Sequence, residues 1–400
     1  MAAGAGGLVA AAAGAGREAA SGHAADGGGA SGQSHAGNSG RAGVGGGAGS
    51  VAGQAGARGA AGQGGQSGGS APAAGSGGEH ADGMPVLVGV GAWGLRARST
   101  DAATWTYCGD AGSGDEHAPN LLRHIAIGAG TFIAVGGDQN SMVMRSLDGA
   151  HWQEDLHPTT SCAGEGYPSS CGNWMGAVAY LDGVWLAGGG NGALMRSSDD
   201  GLTWTGVHGG FPEKHIRALA AGSGRFLAGT DGGGLYVSTD RGESWTAKPV
   251  WMGAGSSAFL QFAHAHGTFV AFAATGGACY LSTDSGDTWT ACAAPVKASA
   301  SFAFDETHLQ WVAPVSGGYA TSADAKTWVA HTASNVPREL AFDSARGHWF
   351  GRSGGTWYRG DTLDMFTRTA MNVSDYRAWA LGDIPLTGIA MSGELCEDKR

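Results

Sequence analysis

The chain has 400 residues, of which 76 are glycine and 14 are tryptophan, and its formal net charge at pH 7 is −11. An acidic composition with few Lys argues against nucleic acid as a bulk partner, because phosphate binding needs a basic footprint. No apolar run is as long as a membrane-spanning helix requires, so the sequence predicts no transmembrane segment.

Residues 1–84 differ in composition from the rest of the chain, because almost all of them are Gly, Ala, Ser or Gln. Such a segment cannot bury enough apolar surface to offset the entropy lost on ordering. The sequence therefore predicts a disordered tail or linker over 1–84. Three Arg against four Asp and Glu give this tail a charge of −1, which leaves −10 for the single folded domain predicted over 85–400.

One short phrase recurs along the folded part. Complete copies read Ser-x-Asp-x-Gly-x-x-Trp and occupy 197–204, 238–245 and 282–289. Copies one residue shorter occupy 99–105, 146–152 and 322–328, and a degenerate copy occupies 360–366. The Asp and Trp of the six recognisable copies are Asp101, Asp148, Asp199, Asp240, Asp284 and Asp324, with Trp105, Trp152, Trp204, Trp245, Trp289 and Trp328. Repeats of about 45 residues are typical of four-stranded propeller blades.

Each repeat also contains short apolar runs joined by Gly and Asp turns, as a meander of four antiparallel strands requires. The predicted fold is therefore all-β, a seven-bladed β-propeller of four-stranded antiparallel blades. The first repeat lacks an inner strand, whereas residues 377–381 form a spare one near the C-terminus. Pairing the two would close the ring and cover an open edge, so we predict closure by a C-terminal inner strand.

The recurring phrase is similar to the Asp box, also called the BNR repeat, and residues 105–366 resemble Asp-box propellers of the sialidase-like and photosystem II assembly-factor-like superfamily. The resemblance implies an architecture rather than an activity. In such a turn the Ser and Asp side chains bond to the backbone, the Gly adopts a left-handed conformation, and the Trp packs between sheets. The Asp and Trp residues of the boxes are therefore predicted to be structural.

The cysteines favour disulfides. They are Cys108, Cys162, Cys171, Cys279, Cys292 and Cys396. Cys279 and Cys292 flank one box, which predicts that they lie on neighbouring strands, and Cys162 and Cys171 bracket one long loop. The remaining two form a third candidate pair by elimination, and buried free thiols are the alternative. Disulfides indicate an oxidising compartment, so we expect an exported protein, extracellular, periplasmic or tethered to the cell surface, although no clear export signal is visible.

An arginine stands at the start of the inner strand in four of the aligned repeats. These residues are Arg123, Arg217, Arg338 and Arg377. Inner strands begin at the mouth of the ring opposite the boxes, and guanidinium groups match carboxylate, sulfate or phosphate geometry. The four arginines are therefore candidate ligand-binding residues, similar to the arginine cluster of sialidases. The alternative is that each arginine pairs with a neighbouring acidic side chain.

Two functions are compatible with these features. The first is a non-catalytic, monomeric binding or scaffolding propeller that recognises a protein, or an anionic or carbohydrate ligand, at the arginine-bearing mouth, with no cofactor and no metal. The alternative is a glycoside hydrolase of the exo-sialidase type, with Tyr376 or Tyr167 as nucleophile and Asp110 or Asp115 as acid. The Arg-Ile-Pro signature of sialidases is absent and their six blades differ from the predicted seven, so no catalytic residue is assigned.

Overall fold

The computed structural model describes residues 84–91, 94–101, 104–108, 121–137, 141–153, 174–208, 210–211, 214–249, 259–273, 279–292, 302–344, 346–353, 356–372, 376–384 and 394–395. Its elements are β-strands, together with the 3-10 turns Gly190–Gly192 and Asp231–Gly233. The predicted tail over 1–84 lies outside the described residues except for Met84, which begins the first strand.

The strands follow one another in short runs. The first fifteen are β1 (Met84–Gly91), β2 (Arg96–Ser99), β3 (Thr106–Cys108), β4 (Leu122–Gly128), β5 (Thr131–Gly136), β6 (Met142–Ser146), β7 (His151–Trp152), β8 (Met175–Leu181), β9 (Val184–Gly189), β10 (Leu194–Ser197), β11 (Thr205–Gly206), β12 (Ile216–Gly222), β13 (Arg225–Thr230), β14 (Leu235–Ser238) and β15 (Thr246–Lys248). The others are β16 (Phe259–Ala265), β17 (Thr268–Ala273), β18 (Cys279–Ser282), β19 (Thr290–Cys292), β20 (Ala303–Asp305), β21 (Gln310–Val315), β22 (Gly318–Ser322), β23 (Val329–Thr332), β24 (Glu339–Asp343), β25 (His348–Ser353), β26 (Thr356–Thr362), β27 (Met365–Asn372), β28 (Tyr376–Ile384) and β29 (Glu394–Leu395).

The strands form antiparallel sheets, which we number along the chain. Sheet 1 has the order β28-β1-β2-β3, sheet 2 is β4-β5-β6, and sheets 3 to 7 are β8 to β11, β12 to β15, β16 to β19, β20 to β23 and β24 to β27. The inner strands of neighbouring sheets pack side by side, β28 on β4, β4 on β8, β8 on β12 and β12 on β16. The architecture is an all-β propeller of four-stranded antiparallel blades.

The predicted blade count was wrong. Among the described sheets, six have four strands, whereas the prediction was seven such sheets. In the second repeat the outer strand β7 contains only His151 and Trp152, and its link to β6 is the single bridge between Arg145 and Gln153. The strand β7 pairs instead with β29 from the C-terminal end of the chain. Counting boxes overestimates complete blades, because a box specifies a turn but not the length of the strand that follows it.

The predicted pairing of the two chain ends is confirmed. The strand at 377–381 lies within β28, which pairs with β1 from Met84 opposite Ile384 to Val90 opposite Ala378. The inner strand of sheet 1 therefore comes from the far end of the sequence. This pairing gives β1 a partner on each edge, because β2 occupies its other side.

The apolar core lies between adjacent sheets. One cluster joins Ile133 of sheet 2 to Val178 and Trp185 of sheet 3, all of them fully or almost fully buried. Small residues on the inner strands allow this close approach. A Cβ added to Gly128 would lie 2.1 Å from Cγ of Tyr180 in the next sheet, so the tyrosine ring rests directly on the glycine backbone.

The recurring phrase forms the turn between the third and fourth strands of a sheet. In sheet 3, Oδ1 of Asp199 accepts hydrogen bonds from Ser197 Oγ at 2.7 Å and from the Thr203 N–H at 2.9 Å. The N–H of Gly201 donates to Ser197 Oγ at 2.9 Å, and Nε1 of Trp204 donates to the Gly201 carbonyl at 3.0 Å. The side chains of the phrase thus satisfy the backbone of their own turn.

One predicted cysteine pair is present as a disulfide. Cys279 on β18 and Cys292 on β19 lie opposite each other, with 5.0 Å between their Cα atoms. The bond joins the third and fourth strands of sheet 5. Of the other candidates, Cys162, Cys171 and Cys396 lie outside the described residues. Only the backbone of Cys108, at the end of β3, is described.

Candidate functional site

Three of the four predicted arginine positions, all except Arg338, coincide with irregularities in strand pairing. The register of β12 against β13 shifts between Ile216 and Ala218, so Arg217 is the extra residue of a β-bulge. The register of β4 against β5 shifts in the same way around Arg123. A bulge residue is left out of the regular pairing and its side chain is re-aimed. An arginine at a bulge therefore lies near the start of both β4 and β12.

The same bulge occurs at other aligned positions, at Gly176 in β8, Leu260 in β16 and Arg377 in β28. Only the backbone of Arg377 is described. Arg338 precedes β24, where its N–H donates to Ser353 Oγ at 2.9 Å and its side chain is exposed. The strand register thus gives Arg123, Arg217 and Arg377 equivalent positions, but not Arg338, and the side chains that meet are those of Arg123 and Arg217.

Trp174 is the meeting point of these two arginines. The guanidinium carbon of Arg123 lies 5.1 Å from the centroid of the Trp174 ring, and that of Arg217 lies 4.9 Å from it. Both distances allow cation–π attraction. Trp174 immediately precedes β8, and a Cβ on Gly176 would lie only 2.4 Å from its Cζ3. The glycine in sheet 3 therefore makes room for an indole ring that contacts arginines from sheets 2 and 4.

Two further side chains lie beside these groups, since His215 contacts the Trp174 ring and Asp231 contacts Arg217. Arg217 donates to Asp231 through Nε at 2.8 Å and through Nη2 at 3.1 Å, a bidentate ion pair. Nδ1 of His215 accepts the N–H of Asn191 at 2.9 Å, and the His215 ring centroid lies 5.3 Å from that of Trp174. We call Arg123, Trp174, Lys214, His215, Arg217 and Asp231 the Trp174 cluster.

Lys214 belongs to this cluster because its amine lies against the turn that carries Asp231. A Cβ on Gly232 would lie 3.0 Å from Nζ of Lys214. The cluster then contains two arginines, one lysine and one carboxylate, within a folded part whose formal charge is −10. About a third of the side-chain surface of Arg217 and of Asp231 is exposed, at 39% and 34%. An anionic group can reach this cluster from solvent.

The position of the cluster follows from chain direction. Arg123 and Arg217 lie at the beginning of inner strands, and Asp231 lies in the turn between the second and third strands of sheet 4. In an antiparallel meander these points share one end of the sheet, whereas the boxes lie at the other end. The Trp174 cluster therefore occupies the mouth opposite the boxes.

Two carboxylates of the boxes, those of Asp284 and Asp324, offer little for acid–base chemistry. Hydrogen bonds from the Thr288 hydroxyl and N–H lower the pKa of Asp284 to about 2. Backbone N–H groups of Thr327 and Lys326 similarly lower the pKa of Asp324 to about 2. A carboxylate held so firmly in its ionised form cannot serve as a proton donor near neutral pH.

A second set of arginines was missed in the sequence. In sheets 1 to 3 an arginine directly precedes the serine of the box, and its Nε donates to a backbone carbonyl in the box of the next sheet. The bonds are Arg98 to Asp148 at 2.8 Å, Arg145 to Asp200 at 2.8 Å and Arg196 to Arg241 at 3.2 Å. The Arg-Ser dipeptide at 98–99, 145–146 and 196–197 was a readable signal for these inter-sheet contacts.

Most residues considered for a sialidase mechanism lie outside the described part of the chain, namely Tyr167, Asp110 and Asp115, and only the backbone of Tyr376 is described, in β28. Among the described residues, no group of three or more His, Cys, Asp or Glu is placed to hold a metal ion. No helix within those residues is long and apolar enough to span a membrane.

Among known proteins, this chain is similar to several solved structures. No family model and no curated protein matches the chain. YCF48 from Cyanidioschyzon merolae is 16% identical, covering 63% of this chain and 91% of that one, with a TM-score of 0.46. The GH74 xyloglucanase from Xanthomonas campestris is 16% identical, covering 72% and 55%, with a TM-score of 0.46.

A structure of YCF48 bound to D1 peptide is 20% identical to this chain, with a TM-score of 0.37. The match covers 48% of this chain and 65% of that one, so it spans less than two thirds of the protein it resembles. All three TM-scores are below 0.5. The strand pairing of the sheets, rather than these similarities, therefore identifies the propeller fold.

Proposed function

We propose that this protein is a non-catalytic binding propeller that recognises an anionic group of a protein partner at the mouth opposite the boxes, through the Trp174 cluster. The observation that carries the proposal is the convergence of Arg123 and Arg217, from different sheets, on the ring of Trp174. Aromatic and arginine side chains are enriched where proteins bind one another.

Charge supports the same conclusion. A cationic cluster on an acidic protein attracts anionic groups locally while the remaining surface repels them, which favours one orientation of a partner. The disulfide between Cys279 and Cys292 supports function in an oxidising compartment, and we propose that the protein acts after export.

The two arginines lie at bulges near the ends of strands, which fix their backbone positions. A partner can therefore bind them without a large rearrangement of the propeller, as a scaffolding role requires.

The proposal is tested by fluorescence anisotropy with a labelled hexaglutamate peptide at low ionic strength. Wild-type protein is expected to bind the peptide and to lose affinity as salt is added, because the attraction is between exposed charges. The double variant R123A/R217A is expected to lose this binding. A hexaglutamine peptide of the same length should bind neither protein.

The matched control is R225A. Arg225 forms a bidentate pair with Asp287, at 2.5 and 2.9 Å, in the box region of the opposite mouth. This variant removes a cation from an ion pair of the same kind without touching the Trp174 cluster. Because R225A removes one charge, it is compared with the single variant R217A, and equal losses in these two variants would show that net charge, rather than this site, governs binding and would contradict the proposal.

The alternative of an exo-sialidase is kept as a second candidate because arginines gather at the mouth where such enzymes bind a carboxylate. Turnover of aryl sialosides or other aryl glycosides by wild-type protein, with loss in R123A/R217A, would support it over simple binding. Absence of turnover across a broad panel of aryl glycosides would remove it.

A further inference from the structure

The carboxylate of Asp231 already occupies the guanidinium group that the proposed function assigns to a ligand. Its two oxygens bond to Nε and Nη2 of Arg217 at 2.8 and 3.1 Å, the planar geometry of a bound carboxylate. We infer that Asp231 is an internal competitor that lowers the affinity of the Trp174 cluster for ligands, and that the ligand group it stands in for is a carboxylate. This inference rests on the proposed function.

The ion pair is accessible enough to exchange. The side chains of Arg217 and Asp231 are 39% and 34% exposed, so water screens their attraction. Exposed pairs of this kind contribute little to stability, and a partner in solution can replace one member at small cost. A fully buried pair would instead resist exchange, because breaking it would leave an unpaired charge away from water.

The turn that carries Asp231 can release the carboxylate without unfolding. The N–H of Asp231 donates to the His215 carbonyl at 3.0 Å, which holds the backbone of the turn in place. The next two residues, Gly232 and Gly233, have φ values of 75° and 76° and carry no side chains. Asp231 contacts Arg217 through its side chain only, and its other ionisable neighbour, His215, lies 4.0 Å from Oδ2, so rotation of the Asp231 side chain would free the guanidinium group while the turn keeps its conformation.

Arg217 does not depend on Asp231 alone for its position. Its guanidinium carbon also lies 4.9 Å from the Trp174 ring centroid, and the bulge between Ile216 and Ala218 fixes its backbone. Arg123 shows the same arrangement from sheet 2, since it lies over the same ring while its Nε donates to the Gly137 carbonyl at 3.1 Å. Loss of the Asp231 charge should leave Arg217 over the ring and available to a ligand.

The test compares D231N with D287N for binding of labelled hexaglutamate at low ionic strength. Both substitutions remove one negative charge and break one arginine pair, but only the first lies in the Trp174 cluster. D231N is expected to bind the peptide about two- to fivefold more tightly than D287N, the range expected for release of an exposed ion pair. A second variant, D231S, should behave like D231N, and circular dichroism confirms that each variant is folded.

The outcomes separate the inference from the proposed function. If wild-type protein binds hexaglutamate through Arg217 and D231N binds no tighter than D287N, or more weakly, Asp231 orients Arg217 and the competitor role is overturned. If neither wild-type protein nor D231N binds the peptide, the anion-binding function itself fails, and the inference fails with it. Tighter binding by D231N and D231S, abolished by the added substitution R217A, supports both.

Discussion

Nε of Arg145 donates a hydrogen bond of 2.8 Å to the backbone carbonyl of Asp200, and so joins sheet 2 to the box of sheet 3. The guanidinium group also forms an ion pair with the Asp200 carboxylate, which in turn accepts a hydrogen bond from Thr131 at 2.8 Å. Contacts of this kind add hydrogen bonds between adjacent sheets, which share no backbone ladder.

Replacing Arg145 with alanine should therefore destabilise the protein. The side chain is almost completely buried, so its loss leaves the Asp200 carbonyl without its Arg145 donor and removes the ion pair, although Thr131 still donates to the carboxylate; the expected cost is about 2–3 kcal/mol. The control is R196A, because Arg196 is more exposed and its bond to the Arg241 carbonyl is longer, at 3.2 Å. Urea unfolding should show a loss of about 1 kcal/mol or less for R196A. Equal losses would contradict this account of the inter-sheet contact.

The glycine of the box is predicted to matter through packing as well as through its backbone. Gly201 has a φ of +81°, and a Cβ there would lie 2.5 Å from Cδ1 of Ile133 in the preceding sheet. Gly183 has a similar φ of +84° but no atom within 4 Å of such a Cβ. G183A should cost about 1–2 kcal/mol from backbone strain alone, and G201A about 1–3 kcal/mol more from overpacking. Thermal unfolding of the two variants measures the difference in their stability, and equal stability losses in G183A and G201A would refute the packing argument.

His124 is predicted to make stability depend on pH. Burial lowers its pKa from 6.5 to about 4, and its Nδ1 accepts the N–H of Val178 at 3.2 Å. Between these two pH values His124 binds a proton in the unfolded chain but not in the folded protein. Stability therefore falls as the pH drops from 6.5 to about 4, by at most about 3 kcal/mol from this residue.

The variant H124Q keeps an acceptor for Val178 but cannot be protonated, so it should flatten this part of the pH profile of urea unfolding. His264 should act in the same direction, because burial, with a smaller contribution from His266, lowers its pKa to about 4. An unchanged slope between pH 6.5 and 4 in H124Q would show that His124 is protonated in the folded protein.

The architecture was largely predictable from the sequence because the box is a local feature. Its Ser, Asp, Gly and Trp bond within one turn, as Ser238, Asp240 and Gly242 do in sheet 4, so a pattern of eight residues specifies a hairpin. The spacing of the boxes then indicates the length of a blade. The count of complete blades was not predictable in this way, because β7 is too short to extend sheet 2 and pairs with β29, 242 residues further along the chain.

The candidate site was predictable only in part. Alignment of the inner strands placed Arg123 and Arg217 at equivalent positions, which the bulges explain. Trp174 was missed because it precedes its strand and belongs to no repeat, although Gly176, at the position where other repeats have arginine, was a signal that space is needed there. Asp231 was missed because a turn residue reveals its partner only once the turn is folded beside Arg217.

The proposed function requires that ligands bind at Trp174. Labelling the protein with 5-fluorotryptophan and recording fluorine NMR spectra tests it directly, with W174F used to assign the Trp174 resonance. Addition of hexaglutamate should shift that resonance saturably, while the resonances of the box residues Trp204 and Trp289, assigned in the same way, stay in place. Binding that moves the box resonances and leaves Trp174 unchanged, or no binding at all, would contradict the account.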